Sequence, residues 1–555
     1  MTPAAQSSTA LGSYEPALDG LRGVCIAAVL AFHTFAFHRF DRWVRGGFIG
    51  VSVFFTLSGF LIASVLLREQ SATGSLALSR FWARRIRRLW PASFVVIAVV
   101  LAASIAGPFA ATSTDLAAAT WNVTNWRVIA GGQHRLLQTI VGPLGPTWSL
   151  AVEEQFYMVW PGLLLILVRF MKLPKAALAG LMGVLWVGSF YLSIRFTYGG
   201  ADAAPWAFFM LPARTWELMT GALLALAGPS IVRLSRHAAG VIGTAGIAVV
   251  VGVAVVYKST PLFPGYLVAL PVFATAAVIF AGAVPGAGGA MLLLRAKPLQ
   301  WIGARSYAIY LWHFPLLVMA GRKWGETGNV GDLSVAARAG LLALSIALAA
   351  LSYQFVENPV RHSRELSQWP VRSLVMGAWI ALIGIGGATL LIQNPPKLSA
   401  GGEVAVPTLA TTATTLPITG DTTLATGTTL PGETTTIATT TTAAEQHTAD
   451  ASHDNPPALA ALIAANLPVL QEGVNTSKVP GNLNPSLNRA SKDLPAVYSN
   501  GCILDVGDNQ PKQCIYGDPN GSVKIVLFGD SHAAEWMPAL HKVASTNGWK
   551  LIVHV

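Results

Sequence analysis

The sequence predicts an all-α polytopic membrane bundle of about 10–11 transmembrane helices, followed by a Thr-rich linker and a soluble C-terminal region. Three observations carry this. The chain is 53% hydrophobic and only 11% charged, against about 25% charged residues in soluble domains. Its mean hydropathy is +0.53. Apolar stretches recur as far as residue 393, each close to the roughly 20 residues that a bilayer crossing requires. With 17 Trp and 53 Gly besides, this composition excludes a cytosolic enzyme and a disordered chain.

Lys and Arg total 37 against 26 Asp and Glu, a net charge of +11. In a soluble domain such an excess would suggest nucleic acid as a partner. Here cationic loops orient membrane helices, so the expected partner is the lipid bilayer and no nucleic acid is expected. The three Cys are too few for a zinc ribbon or an iron–sulfur site, and no metal is expected.

In chain order, residues 1–13 are polar and read as a disordered N-terminus, without the basic start of a cleaved signal peptide. Candidate spans lie near 23–40, 47–67, 89–110, 147–169, 177–196, 207–228, 239–257, 265–284, 303–320, 336–356 and 373–393. The first and ninth are interrupted by polar residues. Arg68, Arg80, Arg84, Arg85, Arg87 and Arg88 follow the second span, and Arg169, Lys172 and Lys175 follow the fourth. Arg233 and Arg236, Arg295 and Lys297, then Arg361, Arg364 and Arg372 continue the pattern. If the spans alternate, all of these cations lie on one side, which the positive-inside rule makes cytoplasmic. The N-terminus is then cytoplasmic and everything after the eleventh span extracytoplasmic. Arg39, Arg42 and Arg45 fall on the opposite side in this scheme.

Beyond the last span, residues 411–442 contain 17 Thr in 32 positions. Such a segment packs no core and reads as an exposed linker. Residues 456–555 are of mixed, soluble composition and contain Cys502 and Cys514. An extracytoplasmic location would favour a disulfide between them. Cys25, in the first span, reads as a packing residue.

Ionisable groups inside spans are costly and therefore candidate functional residues. Arg22 and His33 are eleven residues apart, which puts them on one helix face about 16 Å apart along the axis. Neutral His accepts a proton, and Arg clamps a phosphate through two parallel hydrogen bonds. A structural His bonded to a neighbouring helix is the competing reading. In the run from Phe81 to Pro91, Arg85 and Arg88 share a face at the mouth of the third span. They read as an anion site or as a topology signal. Glu153 and Glu154 open the fourth span within Thr147 to Tyr157, with Tyr157 on the face of Glu153. Either they serve catalysis or they sit at the positive end of a helix dipole. Arg214 and Glu217, three apart, read as a structural ion pair. Ser306, Tyr310 and His313 form a polar stripe on the ninth span. Glu357 closes the tenth.

Taken together and in order, these strings resemble the acyltransferase-3 family of bacterial integral-membrane O-acyltransferases. They are Arg22 followed by ten residues and His33, the Gly47–Phe60 run, Arg85-x-x-Arg88, Trp148–Tyr157 with its Val-Glu-Glu, and Ser306–Pro315. The resemblance covers residues 14–365 and leaves 366–395 as an additional transmembrane helix and 396–455 as an extracytoplasmic linker. It implies a multi-pass enzyme of the bacterial plasma membrane, with no permanently bound cofactor. An acyl-CoA, typically acetyl-CoA, would be the cytoplasmic donor and an extracytoplasmic glycan the acceptor. By the same resemblance Arg22, Arg85 and Arg88 would hold the donor's phosphates, His33 would act as base or transient acyl acceptor, and Glu153 would orient or balance it. A transporter or flippase of a lipid-linked sugar or anion is the rival reading, since buried charges suit that too.

Val523 to Phe528 is an apolar strand run followed by Gly529-Asp530-Ser531-His532 and a helical stretch. This resembles the first block of an SGNH-type domain, which implies that residues 456–555 are the start of an α/β SGNH-hydrolase-like domain. Ser531 would be its nucleophile, with Asp530 counted beside it as catalytic. The later blocks of that domain do not follow Ser531 in this sequence, so the sequence is expected to represent a truncated form. A wall-attachment role without chemistry is the alternative for this region.

Overall fold

The computed structural model describes residues 15–35, 44–106, 113–130, 142–200, 203–228, 234–258, 262–324, 330–393, 400–401, 479–480, 495–498, 502, 514–529 and 531–554. The expected disordered N-terminus, the Thr-rich linker, Arg39, Arg42, Arg233 and Asp530 lie outside the described residues. The chain divides into two compact units. One takes residues 1–396 and 505–508, the other residues 397–504 and 509–555.

The first unit is helical. Its principal helices are α1 (Pro16–Phe35), α2 (Gly50–Thr73), α3 (Leu78–Ala106), α4 (Thr147–Leu165), α5 (Lys175–Thr197) and α6 (Leu211–Ala227). They continue with α7 (Arg236–Val256), α8 (Ala269–Gly282), α9 (Ser306–Trp324), α10 (Val335–Ser352) and α11 (Pro370–Gln393). Each predicted span thus has a helix. Eight stretches, containing α1–α5, α7, α10 and α11, are long and apolar enough to cross a membrane by length and composition. The other three are shorter or more polar: α6 has 17 residues, α8 has 14, and α9 carries the Ser306–Tyr310–His313 stripe.

The polarity of this unit is reversed relative to a soluble core. Met158, Val184, Val187, Val241, Phe355 and Trp379 are exposed, whereas Ser52, Thr56, Asn125, Arg214, Glu217 and His313 are buried. An apolar exterior of this extent suits lipid. The chain is a multi-pass membrane protein.

Two backbone contacts fix the helices that carry the site. A Cβ on Gly20 would lie 1.8 Å from the Leu294 carbonyl oxygen, and one on Gly303 1.7 Å from that of Asp19. Helix α1 therefore rests on the Ala290–Leu294 and Lys297–Ala304 helices with no side chain between them at these points. Likewise a Cβ on Gly59 would lie 1.8 Å from the Leu218 oxygen, and one on Gly221 2.0 Å from the Thr56 oxygen. Small residues permit such close helix crossings in membranes.

In the second unit, β1 (Cys514–Gly517), β2 (Lys524–Phe528) and β3 (Lys550–His554) form a sheet in the order β1-β3-β2. Strand β3 pairs antiparallel with β1, Cys514 opposite Val553, and parallel with β2, Phe528 opposite His554. Helix α12 (Ser531–Asn547) connects the parallel pair, the β-α-β arrangement that parallel strands require. Val497, Cys502, Ala534, Met537, Ala544, Leu551 and Val553 make its core. Cys502 and Cys514 form a disulfide, with Cα atoms 5.9 Å apart.

Candidate functional site

A cavity of about 50 Å³ lies inside the helical unit, lined by Arg22, Ser58, Ser149, Glu153, Ser306 and Tyr310 and by the apolar Phe54 and Phe55. That volume holds a few water molecules. Four helices contribute: α1, α2, α4 and α9 supply its polar groups. Ser58 Oγ donates to Glu153 Oε1 at 2.9 Å, and Tyr157 Oη donates to Glu153 Oε2 at 3.2 Å. Both carboxylate oxygens are thereby satisfied and the carboxylate is held at the cavity wall. Tyr310 Oη donates to the Pro146 carbonyl at 2.9 Å and lies 2.9 Å from Ser149 Oγ.

Four of the five arginines of α3 divide into two pairs, which spacing alone did not reveal. Arg84 is exposed and pairs with Glu69 at 3.3 Å. Arg87 is buried and donates to the Leu366 carbonyl at 2.6 Å and to Ser373 Oγ at 2.9 Å, fastening α3 to α11. Arg85 lies against Tyr157, and Arg88 lies in the field of Arg85. The Arg85 guanidinium lies 4.7 Å from the centre of the Tyr157 ring, within cation–π range, and it senses the charges of Glu153 and Glu154. Arg88 and Arg22 lie in each other's field, and like charges so placed favour a bound anion. Arg22 has Asp19 at 3.6 Å.

Glu357 is a further member. It is buried, ends the π-helical turn Tyr353–Glu357, and lies in the field of Arg88, Arg361, Arg22 and Arg305. Such π-turns recur at functional sites. Its position next to Asn358-Pro359 was the sequence signal. Glu154 lines a second cavity of about 30 Å³ with Trp90, Ser93 and Tyr307. Tyr307 bonds Ser93 Oγ and donates to the Leu89 carbonyl at 3.0 Å, tying α9 to α3.

His33 stands apart from this cavity, eleven residues further along α1. Its Nδ1 lies 2.9 Å from His313 Nε2, and His313 Nδ1 lies 2.7 Å from the Tyr310 carbonyl oxygen. The resemblance has Glu153 orienting or balancing His33. Glu153 bonds Ser58 and Tyr157, and the imidazole is held by His313 on α9. The polar stripe of Ser306, Tyr310 and His313 is distributed accordingly, the first two at the cavity and the third on His33. Arg214 and Glu217 form an ion pair at 2.8 Å, 1% and 0% exposed. Arg214 Nη2 also donates to Ser52 Oγ at 3.2 Å, so the pair braces α6 against α2 as a structural element. Ser531 is the first residue of α12, three residues after the end of β2 and two beyond Gly529. Its side chain, like Asp530, lies outside the described residues.

An apolar bundle that encloses arginines, a carboxylate and an imidazole pair defines a class: a multi-pass membrane protein with ionisable groups buried in its interior. The comparison with known families narrows it. Residues 15–354, more than half of the chain, match the acyltransferase domain family (Acyl_transf_3), and the chain belongs to that family. Residues 501–554 match the SGNH domain described as fused to such acyltransferase domains. Among curated relatives, the peptidoglycan O-acetyltransferase OatA of Listeria monocytogenes is 29% identical over 427 residues, covering 72% of this chain and 67% of the relative. The O-acetyltransferase OatA of Staphylococcus aureus is 31% identical over 362 residues, covering 63% of this chain and 57% of the relative. The chain thus spans between about half and two thirds of the length of these relatives. No solved structure matches.

Proposed function

We propose that this chain transfers an acyl group, typically acetyl, from cytoplasmic acyl-CoA to an extracytoplasmic glycan of the cell envelope. The names of its relatives point to peptidoglycan as that glycan. The observation that carries the reading is the arrangement along α1, with a cationic cavity at Arg22 and a hydrogen-bonded imidazole at His33 about 16 Å further on. A CoA molecule is an anionic head on an extended arm that ends in a thioester. Arg22, Arg85 and Arg88 suit the head, and His33 suits the reacting end as base or transient acyl acceptor. The surrounding apolar helices keep bulk water from the thioester. Ser531 is the proposed final acceptor before the glycan.

Reconstitution in vesicles with isotopically labelled acetyl-CoA tests this. Label should appear on an added glycan acceptor, and CoA should be released in step. A protein that moves lipid-linked sugar without consuming acetyl-CoA would overturn the reading in favour of a carrier.

The double substitution Arg85→Ala and Arg88→Ala should raise the dissociation constant for acetyl-CoA about 10- to 100-fold, since a hydrogen bond to a charged group is worth about 1.5–3 kcal/mol. Lys at both positions should restore affinity in part, because an ammonium lacks the planar fork. Unchanged CoA binding by the Ala variant would remove the phosphate role. Neither change should disturb insertion, since Arg68, Arg80, Arg84 and Arg87 remain in the loop and helix mouth.

The direction of transfer places the N-terminus in the cytoplasm and the second unit outside it, where a Cys502–Cys514 disulfide persists. After mild reduction of intact cells, a membrane-impermeant thiol reagent should label both cysteines. Labelling seen only after lysis would place Ser531 in the cytoplasm and end its proposed role.

A further inference from the structure

We propose that His313 is a positioning residue for His33. It selects the tautomer of His33 whose Nε2 carries the lone pair, and it receives the Nδ1 proton of His33 when Nε2 forms a bond. This rests on the acyl-transfer role proposed for His33, but the choice of tautomer follows from geometry alone.

The hydrogen bonds run in one direction. A backbone carbonyl only accepts, so His313 Nδ1, 2.7 Å from the Tyr310 oxygen, must carry a proton. In a neutral ring His313 Nε2 is then an acceptor. His33 Nδ1, 2.9 Å away, must donate to it, which leaves the lone pair of His33 on Nε2. The rings are inclined by only 14° with centroids 5.1 Å apart, an edge-to-edge meeting that lets the N–H point along the axis between the rings. Phe314, edge-on at 5.2 Å, and Phe32, tilted at 5.4 Å, hold the His33 ring in this orientation.

The pair is neutral at rest for a physical reason. An imidazolium in this apolar setting has a large desolvation cost. Arg338 donates to the backbone carbonyl of Thr34, the residue next to His33, at 3.2 Å.

The step then balances. His33 Nε2 attacks the thioester carbon, the N–acyl bond forms and the C–S bond breaks. CoA leaves as thiolate and takes a proton from water. The acyl-imidazolium passes its Nδ1 proton to His313 Nε2, while His313 keeps its Nδ1 proton on Tyr310. When an acceptor hydroxyl attacks the acyl carbon, the hydroxyl proton goes to water, the C–N bond breaks, and His313 returns its proton to His33 Nδ1. If His33 serves as base instead, the same Nδ1 proton moves as Nε2 accepts the hydroxyl proton.

The test compares His313→Gln, whose side-chain oxygen still accepts from His33 Nδ1, with His313→Leu, which does not. Both are purified as the full chain in vesicles. With acetyl-CoA as donor, the Leu variant should lose about 10²-fold in kcat with KM little changed, and Gln should recover most of the loss. Independently, diethyl pyrocarbonate should carbethoxylate His33 more slowly in the Leu variant than in wild type or Gln, read by peptide mass spectrometry. Equal kcat for Gln and Leu, with equal His33 reactivity, would overturn the proposal. Slowed carbethoxylation in a protein that turns over no acetyl-CoA would keep the tautomer assignment and reject the acyl-transfer reading.

Discussion

Replacing His33 with alanine is expected to lower acyl transfer by about 10²–10⁴-fold, the range that a positioned base or acceptor contributes. The protein should still insert and fold. His33 is half-buried and bonds His313, so its removal leaves one imidazole nitrogen unpaired, a cost of about 1–3 kcal/mol. The packing of α1 on the Ala290–Leu294 and Lys297–Ala304 helices depends on Gly20 and Gly303 and is untouched. Binding of acetyl-CoA should persist, because the arginines remain. The measurement is transfer rate in vesicles beside a CoA binding isotherm on the same preparation. A variant that acylates at the wild-type rate would leave His33 as a structural partner of His313. A variant that loses binding and transfer together would point to a collapsed bundle, which a thermal unfolding curve would show.

The second large effect is on stability. Glu217→Ala leaves the Arg214 guanidinium buried without its carboxylate and is expected to cost about 3–5 kcal/mol. Ser52 Oγ and the rings of Phe55 and Phe208, 5.4 and 5.5 Å from the guanidinium, remain but do not neutralise it. The double change Arg214→Met with Glu217→Leu should recover most of the loss, because apolar residues of similar volume replace buried pairs at little cost. Thermal unfolding in detergent distinguishes these outcomes. If the single and double variants fall equally, the pair has a role beyond bracing α6 against α2.

Much of this was legible because it is local. Helices appeared where apolar runs of spanning length occurred, and Arg214 with Glu217 were readable as partners at one turn's spacing. The disulfide was readable from two cysteines in one short region. What escaped was set by packing between distant segments. His33 and His313 are 280 positions apart, so no periodicity could pair them. Ser58 lay in the Gly47–Phe60 run without a role until α2 brought it to Glu153. Arg85 and Arg88 were separable from Arg84 and Arg87 only once Glu69 and the start of α11 had claimed the latter two.

The fastening of α3 to α11 bears on where the catalytic module ends. The family match stops at residue 354, yet Arg87 is only 7% exposed and its guanidinium takes its acceptors from Leu366 and Ser373. Gly377 and Gly387 bring α11 against Ile86 and Leu101 of α3. A protein trimmed at the homology boundary would strand a buried cation on the same helix that presents Arg85 and Arg88, and would strip the lipid-shielding cover from that helix. Chimeras that exchange acyltransferase modules between proteins therefore need to carry α11 with the donor's α3, as one inherited piece.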